Sequence, residues 1–310
     1  MNILCLGITV ADLLAKPVSE MPPKGILEVV DQMGLYVGGC ASNAAVDLAQ
    51  LGFRPVLNAL VGEDGLGDYV LKTMAKAGAD ISAVGRTDRA NTSATMVFCR
   101  EDGERSFFHY SGANGLFDAG CVDEAALDAC DILCVAGALL LPSFDGAPMA
   151  ALLKRAKSMG KITVLDTAWN ERSRWLEDIG PCLPYLDHFL PSYGEAARLS
   201  GKEEPSEIAA FFRGLGARHV VVKLGEEGCY ALGGEGVGTH IPAFTVDAMD
   251  TTGAGDAFVA GYVAGLDQGM DLLGCARLGN AVGAFCVVAV GATTGVPSLA
   301  EVTAWMGAKN

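Results

Sequence analysis

Short, largely apolar runs recur at residues 3–8, 56–61, 132–136, 162–165 and 220–224. Between them lie stretches of helical periodicity at 42–51, 66–76, 124–129, 147–158 and 206–214. A strand that is apolar at every position must be covered on both faces, and the intervening helices are what can cover it. The pattern predicts an α/β fold, a three-layer sandwich with a mostly parallel central sheet. From residue 253 to 289 the pattern is nearly all helix, with small residues (Ala257, Ala260, Gly261, Ala264, Gly265) that permit close packing on the sheet. A length of 310 residues suits one large α/β domain or two ordinary ones.

Two stretches break the alternation. Residues 12–37 carry Pro17, Pro22 and Pro23 and then alternate from 26 to 37, and residues 92–110 read as a hairpin turning at Glu101-Asp102-Gly103-Glu104. Together they predict a small β-sheet apart from the main one. The expected division is a core of 1–11, 38–91 and 111–310, with 12–37 and 92–110 as a β lid over the substrate site. An edge extension is the alternative, and a homodimer contact through the same sheet is compatible with both.

Charge narrows the partners. Lys and Arg number 22 against 37 Asp and Glu, a net charge of −15 with a pI near 4.6. Such a chain cannot neutralise a phosphate backbone or an anionic membrane over a broad face, so neither nucleic acid nor membrane is expected as a partner. A small anionic ligand remains open if local backbone donors overcome the global field. Ten cysteines are scattered without zinc spacing, and the start lacks the basic, then apolar, pattern of an export signal. The expected location is cytoplasmic, with reduced thiols serving as small core residues.

The sharpest local signal is Asp250-Thr251-Thr252-Gly253-Ala254-Gly255-Asp256, ahead of a long helical pattern. Amides of Gly253, Ala254 and Gly255 at a helix N-terminus bind anions through unpaired donors and the helix dipole. Asp256 then falls in the first turn, either as a general base for an attacking hydroxyl or as a favourable first-turn acid. The second signal is Gly38-Gly39-Cys40-Ala41-Ser42-Asn43. It reads either as a backbone approach to a ligand with Asn43 bonding a polyol, or as a glycine turn with a capped helix.

In combination these motifs closely resemble the ribokinase family of carbohydrate kinases, which includes the minor-type phosphofructokinase, and the resemblance covers essentially the whole chain. Gly7 with Asp12 looks like its first strand and substrate aspartate. Pro191-Ser192-Tyr193-Gly194-Glu195 looks like its Asn-x-x-Glu element, Val222-Lys223-Leu224-Gly225 with Gly228 like its nucleotide-side turn, and Asn280 to Ala292 like its closing helix and adenine-side loop.

The resemblance implies ATP-dependent phosphorylation of a hydroxymethyl group on a sugar or sugar-like substrate. Asp256 would be the base, and Gly253, Ala254 and Gly255 the anion hole. Asp12, Gly38, Gly39 and Asn43 would hold sugar hydroxyls. Glu195 would organise Mg2+, with Asp166 either facing it or a strand-end turn acid. Ser192, Lys223, Gly225, Gly228 and Asn280 would lie on the ATP side. Asp250 and Thr252 match positions that in some relatives help bind a monovalent cation such as K+. His109 and Asn114 are further substrate contacts or, alternatively, lid and turn residues.

Two departures stand out: Ser192 replaces the family's Asn, and Lys223 stands where many relatives have Thr. Lys223 either balances phosphate charge or snorkels to the surface. The run Ala138-Leu139-Leu140-Leu141-Pro142 lacks a polar substrate contact, which weakens a ribose assignment. The alternatives are a nucleoside kinase of the same family, favoured by Phe107, Phe108 and Tyr110 in the lid, and a non-catalytic sugar- or nucleotide-binding regulator. A dinucleotide dehydrogenase fails for want of a Gly-x-Gly-x-x-Gly after the first strand, and a P-loop kinase for want of its lysine motif.

Overall fold

The computed structural model describes residues 1–100, 105–234 and 236–309. In chain order the first half runs β1 (Ile3–Gly7), β2 (Val10–Lys16), β3 (Gln32–Gly38), α1 (Cys40–Gln50), β4 (Val56–Asn58), β5 (Leu60–Gly62), α2 (Gly65–Ala77), β6 (Gly85–Thr87), β7 (Ala94–Cys99) and β8 (Arg105–Tyr110). It continues with α3 (Glu124–Ala129), β9 (Ile132–Ala138), α4 (Ala147–Ser158), β10 (Ile162–Thr167), α5 (Leu176–Ile179), β11 (His188–Phe189) and α6 (Tyr193–Ser200). The last part is α7 (Pro205–Gly214), β12 (His219–Lys223), β13 (Cys229–Leu232), β14 (Thr239–Ile241), α8 (Ala254–Asp267), α9 (Leu272–Val287) and α10 (Leu299–Ala308).

The main sheet has the order β14-β13-β12-β11-β10-β9-β1-β4. It is parallel from β12 to β4 and antiparallel at the β13–β14 end. Side chains alternate across it: Ile3 and Cys5 enter the core under α1, α8 and α9, while Leu4 and Leu6 enter the core under α4, α6 and α7. Each fully buried Leu or Ile contributes about 1.5–3 kcal/mol over exposure, so the two covered faces fix the sheet. The small residues of α8 lie against α9, with Gly261 facing Val282 and Gly265 facing Cys275.

The second sheet, β3-β2-β7-β8, is the expected separate one. It starts at Val10 rather than residue 12, and the apolar residues expected to alternate from 26 are not strand until Gln32. Ile26, Leu27 and Val29 are exposed, with no strand beside them to bury a face. The hairpin turn at 101–104 lies outside the described residues. The apolar run at 56–61 is two strands: β4 edges the main sheet, and β5 turns away at Ala59 to pair with β6. The long helical stretch is likewise two helices, parted at Gly269, whose φ of 69° lies in the left-handed region. All ten cysteines are free thiols, and no helix among the described residues is long and apolar enough to cross a membrane.

Candidate active site

The N-terminus of α8 stands between two cavities. One, of about 580 Å3, is lined by Asp12, Gly39, Asn43, His109, Gly253 and Asp256 among others. The other, of about 550 Å3, takes Ser192, Lys223, Gly225, Gly228, Asn280 and the Ala254–Gly255 pair. Gly253 makes this junction possible. It caps α8 at a φ of 78°, and a Cβ there would meet the Ala292 carbonyl oxygen at 2.3 Å. The N–H groups of Gly253, Gly255 and Asp256 have no backbone partner among the described residues, whereas Ala254 N–H makes a long bond, 3.3 Å, to the Thr251 carbonyl. The set of unpaired amides thus keeps Gly253 and Gly255 of the expected three and has Asp256 in place of Ala254, because the turn into the helix draws Ala254 backwards.

Asp256 is held from α1: Asn43 Nδ2 donates to its Oδ2 at 2.7 Å. Burial raises the Asp256 carboxyl above its ordinary value, and the Asn43 bond, the Lys223 charge and a Cys40 bond offset part of that rise. Lys223 Nζ would lie 3.4 Å from a Cβ built on Gly255, beside the unpaired amides. Its bond is to Asp166 Oδ1 at 2.7 Å. The pair is buried, and burial pushes Asp166 up to about 7 even with the lysine beside it. Glu195, which is buried, accepts at Oε2 from Thr167 Oγ1 at 2.8 Å and from Ser192 N–H at 3.2 Å. Ser192 is thereby the capping-box residue of α6.

Those bonds use Oδ1 of Asp166 and Oε2 of Glu195, leaving Oδ2 and Oε1 available. The described residues contain no group of three His, Cys, Asp or Glu suited to a metal. One or two carboxylates completed by phosphate oxygens and water is how Mg2+ is usually held beside a nucleotide, so these two acids fit that ion.

The inner face of the second sheet is banded by its register. Asp12, Thr95 and His109 form one row, Leu14, Val97 and Phe107 the next, and Cys99 and Arg105 a third at the same end as Lys16 and Gln32. The bands follow from period-two alternation: every second residue of β2, β7 and β8 faces the cavity. Phe108 and Tyr110 therefore lie on the outer face, more than half exposed, with Leu13, Met33 and Met96. Burial raises the Asp12 carboxyl to about 6, a Thr95 bond offsetting part and the Asp256 charge adding to it. A Cβ at Gly38 would meet the Asp12 carboxylate at 2.0 Å, so glycine there is what lets Asp12 face the cavity. His109 Nδ1 lies 3.1 Å from Thr95 Oγ1.

Three expectations are corrected. Asp250 does not offer a free carboxylate to a monovalent cation with Thr252. Its Oδ1 accepts from Thr252 N–H and Oγ1 and from Arg105 at 2.5 Å, and its Oδ2 accepts from Gly291 N–H. A guanidinium thus supplies the positive charge at that point. Asn114 does not face the cavity: it is buried and bonds the Thr9 backbone through both ends of its amide, at 3.3 and 2.9 Å. Lys223 does not snorkel to the surface: its side chain is largely buried, bonds Asp166 and lines the second cavity. Asn280 lines the second cavity while its amide donates to the Ile241 and Pro242 carbonyls. The first cavity, that of Asp12 and Asp256, also takes Lys16, Arg100 and Arg105, which sequence reasoning missed. Counting alternate residues along the predicted hairpin would have found Arg105 on the side of His109.

A family model described as pfkB family carbohydrate kinase matches residues 1–299. A 2-dehydro-3-deoxygluconokinase of Bacillus subtilis is 28% identical over 299 residues, covering 92% of this chain and 91% of its own. Among solved structures, a ribokinase from Thermotoga maritima superposes with a TM-score of 0.85 at 25% identity, covering 99% of each chain. A fructokinase from Xylella fastidiosa with bound ATP superposes with a TM-score of 0.84 at 25% identity, covering 99% of this chain and 98% of its own.

Proposed function

The chain belongs to the pfkB family of carbohydrate kinases, and we propose that it moves the γ-phosphoryl group of ATP across the N-terminus of α8 onto a hydroxymethyl group of a sugar-like substrate. One observation carries this reading: Asp256 opens into one cavity while Gly255, on the same helical turn, opens into the other. Donor and acceptor are then in line with unpaired amides between them.

The sugar binds against Asp12, Gly39 and Asn43, with the Gly38 backbone behind Asp12. ATP lies along Lys223, Gly225 and Gly228, its base toward Asn280. Asp256 takes the hydroxyl proton as the oxygen attacks, a role that suits a carboxyl raised by burial. Charge growing on the equatorial oxygens meets the amides and the Lys223 ammonium, which need little reorganisation. Asp166 and Glu195 would hold Mg2+, which when bound would supply charge neutralisation on the phosphates. The β2-β3-β7-β8 sheet acts as a lid that excludes water and so protects ATP from hydrolysis. Its apolar outer face (Leu13, Met33, Met96, Phe108, Tyr110) suits a second copy of the chain, with the reaction run in the cytoplasm.

Lys16 and Arg100, beside the Arg105–Asp250 pair, leave that end of the cavity net positive, which supports a substrate with an acidic end, such as the sugar acid named for the Bacillus relative. The apolar band with Phe107 supports a second reading, a nucleoside whose base stacks there. ADP release on a panel of 2-dehydro-3-deoxygluconate, ribose, fructose, adenosine and cytidine separates them. Turnover on sugars or sugar acids is expected. Turnover on nucleosides alone would move the assignment to the second reading, and ligand binding without ADP release on any of them would favour a regulator.

A further inference from the structure

Asn43 and Asp47 lie one turn apart on the buried face of α1, 5% and 0% exposed. Asn43 commits its Nδ2 to Asp256. Its Oδ1, and both carboxylate oxygens of Asp47, are buried without a hydrogen-bond partner among the described residues. Gln50 Oε1, on the next turn, is a fourth such acceptor, and each buried acceptor without a donor is costly. A single proton on Asp47 removes the buried charge and supplies one O–H donor for a neighbouring acceptor, leaving only the neutral carboxyl C=O of Asp47 unpaired in that pair. The surroundings keep that proton in place. Asp47 is enclosed by α1, α8 and α9, and both burial and the Asp256 charge raise its carboxyl well above the ordinary range. Cys286 faces it from α9. Helical Cα–Cβ bonds tilt toward the N-terminus, which sends Asp47 back toward Asn43 rather than forward toward Gln50. The Gln50 amide is drawn to the Thr293 carbonyl at 2.7 Å.

We propose that Asp47 is a positioning residue for the reaction: its carboxyl O–H donates to Asn43 Oδ1 and so fixes the amide with its N–H2 toward Asp256. An amide without that donor is free to turn over, and its oxygen would then face the Asp256 carboxylate and repel it. Asp47 touches no substrate and acts through Asn43. The proposal rests on Asp256 being the base.

The test compares Asp47→Leu and Asp47→Asn with the unaltered enzyme at saturating sugar. Asp47→Leu is expected to lower kcat about tenfold, the scale of one lost hydrogen bond, with the KM for ATP unchanged and Tm no lower. A merely structural residue would not give slow turnover in an equally stable protein. Asp47→Asn keeps an N–H donor and is expected to restore kcat. Wild-type kcat in Asp47→Leu, or an Asp47→Asn as slow as Asp47→Leu, overturns the proposal. If Asp47→Leu does not fold, infrared spectra decide: a protonated carboxyl band at neutral pH, missing in Asp47→Asn, is expected, and its absence from the unaltered enzyme overturns the proposal. Asp256→Asn is run alongside. Fast turnover there sinks the base assignment, whereas slow turnover there with wild-type kcat in Asp47→Leu sinks only the role of Asp47.

Discussion

Arg105 Nη2 stands 2.5 Å from Asp250 Oδ1, although the two are 145 residues apart. The arginine comes from the second sheet and the aspartate from the loop that leads into α8. Asp250 in turn caps Thr252 and Gly291 through its remaining bonds. One ion pair therefore ties the wall of the sugar cavity to the loop that carries the phosphoryl site.

Arg105→Met should loosen that tie while leaving the loop folded, because three protein donors still hold Asp250. The sugar KM is expected to rise about tenfold, a loss of one partly buried charged bond, with Tm nearly unchanged. Steady-state kinetics over a sugar series checks this, and an unaltered KM would show that the pair plays no part in closing the cavity.

Asp12 sets a pH dependence. Its carboxyl sits near 6 rather than at the ordinary value, because it is buried. A sugar hydroxyl donates to the ionised form, so the sugar KM should rise as pH falls through about 6. Stability runs the other way: the folded state holds the Asp12 proton more tightly than the unfolded one, so this residue's contribution declines as pH rises from its unfolded value toward 6. Asp12→Asn should show a high sugar KM that no longer changes across that window.

Lys223→Met should be costly. Lys223 and Asp166 are 11% and 2% exposed at their side chains, and removing one partner of a buried pair typically costs about 3–5 kcal/mol. Denaturant melts are expected to show that loss in Lys223→Met and to recover much of it in the double variant with Asp166→Leu. Equal loss in both would mean that the pair is not the source.

Much of this was legible from residue pattern. The runs around Ile132 and Ile162 became β9 and β10, and the helical stretches at Glu124–Ala129 and Ala147–Ser158 match to the residue, since apolar periodicity and local capping act over a few neighbours. The antiparallel end strands β13 and β14 were not foreseen: they are short, glycine-flanked and carry little period. Site geometry was readable where it depended on a contiguous loop, as in the helix start at Gly253–Gly255 that lines the two cavities. It was not readable where a partner comes from far along the chain. Nothing near Asp250 announces Arg105, nothing near Lys223 announces Asp166, and nothing near Asn114 announces the Thr9 backbone.

The most direct measurement is single-turnover phosphoryl transfer by Asp256→Asn, read together with ATP binding by calorimetry. If Asp256 accepts the alcohol proton, transfer falls by about a hundredfold or more while ATP binds as before. Transfer at the unaltered rate would contradict the account, because the alcohol would then be losing its proton to something other than the carboxylate that Asn43 holds.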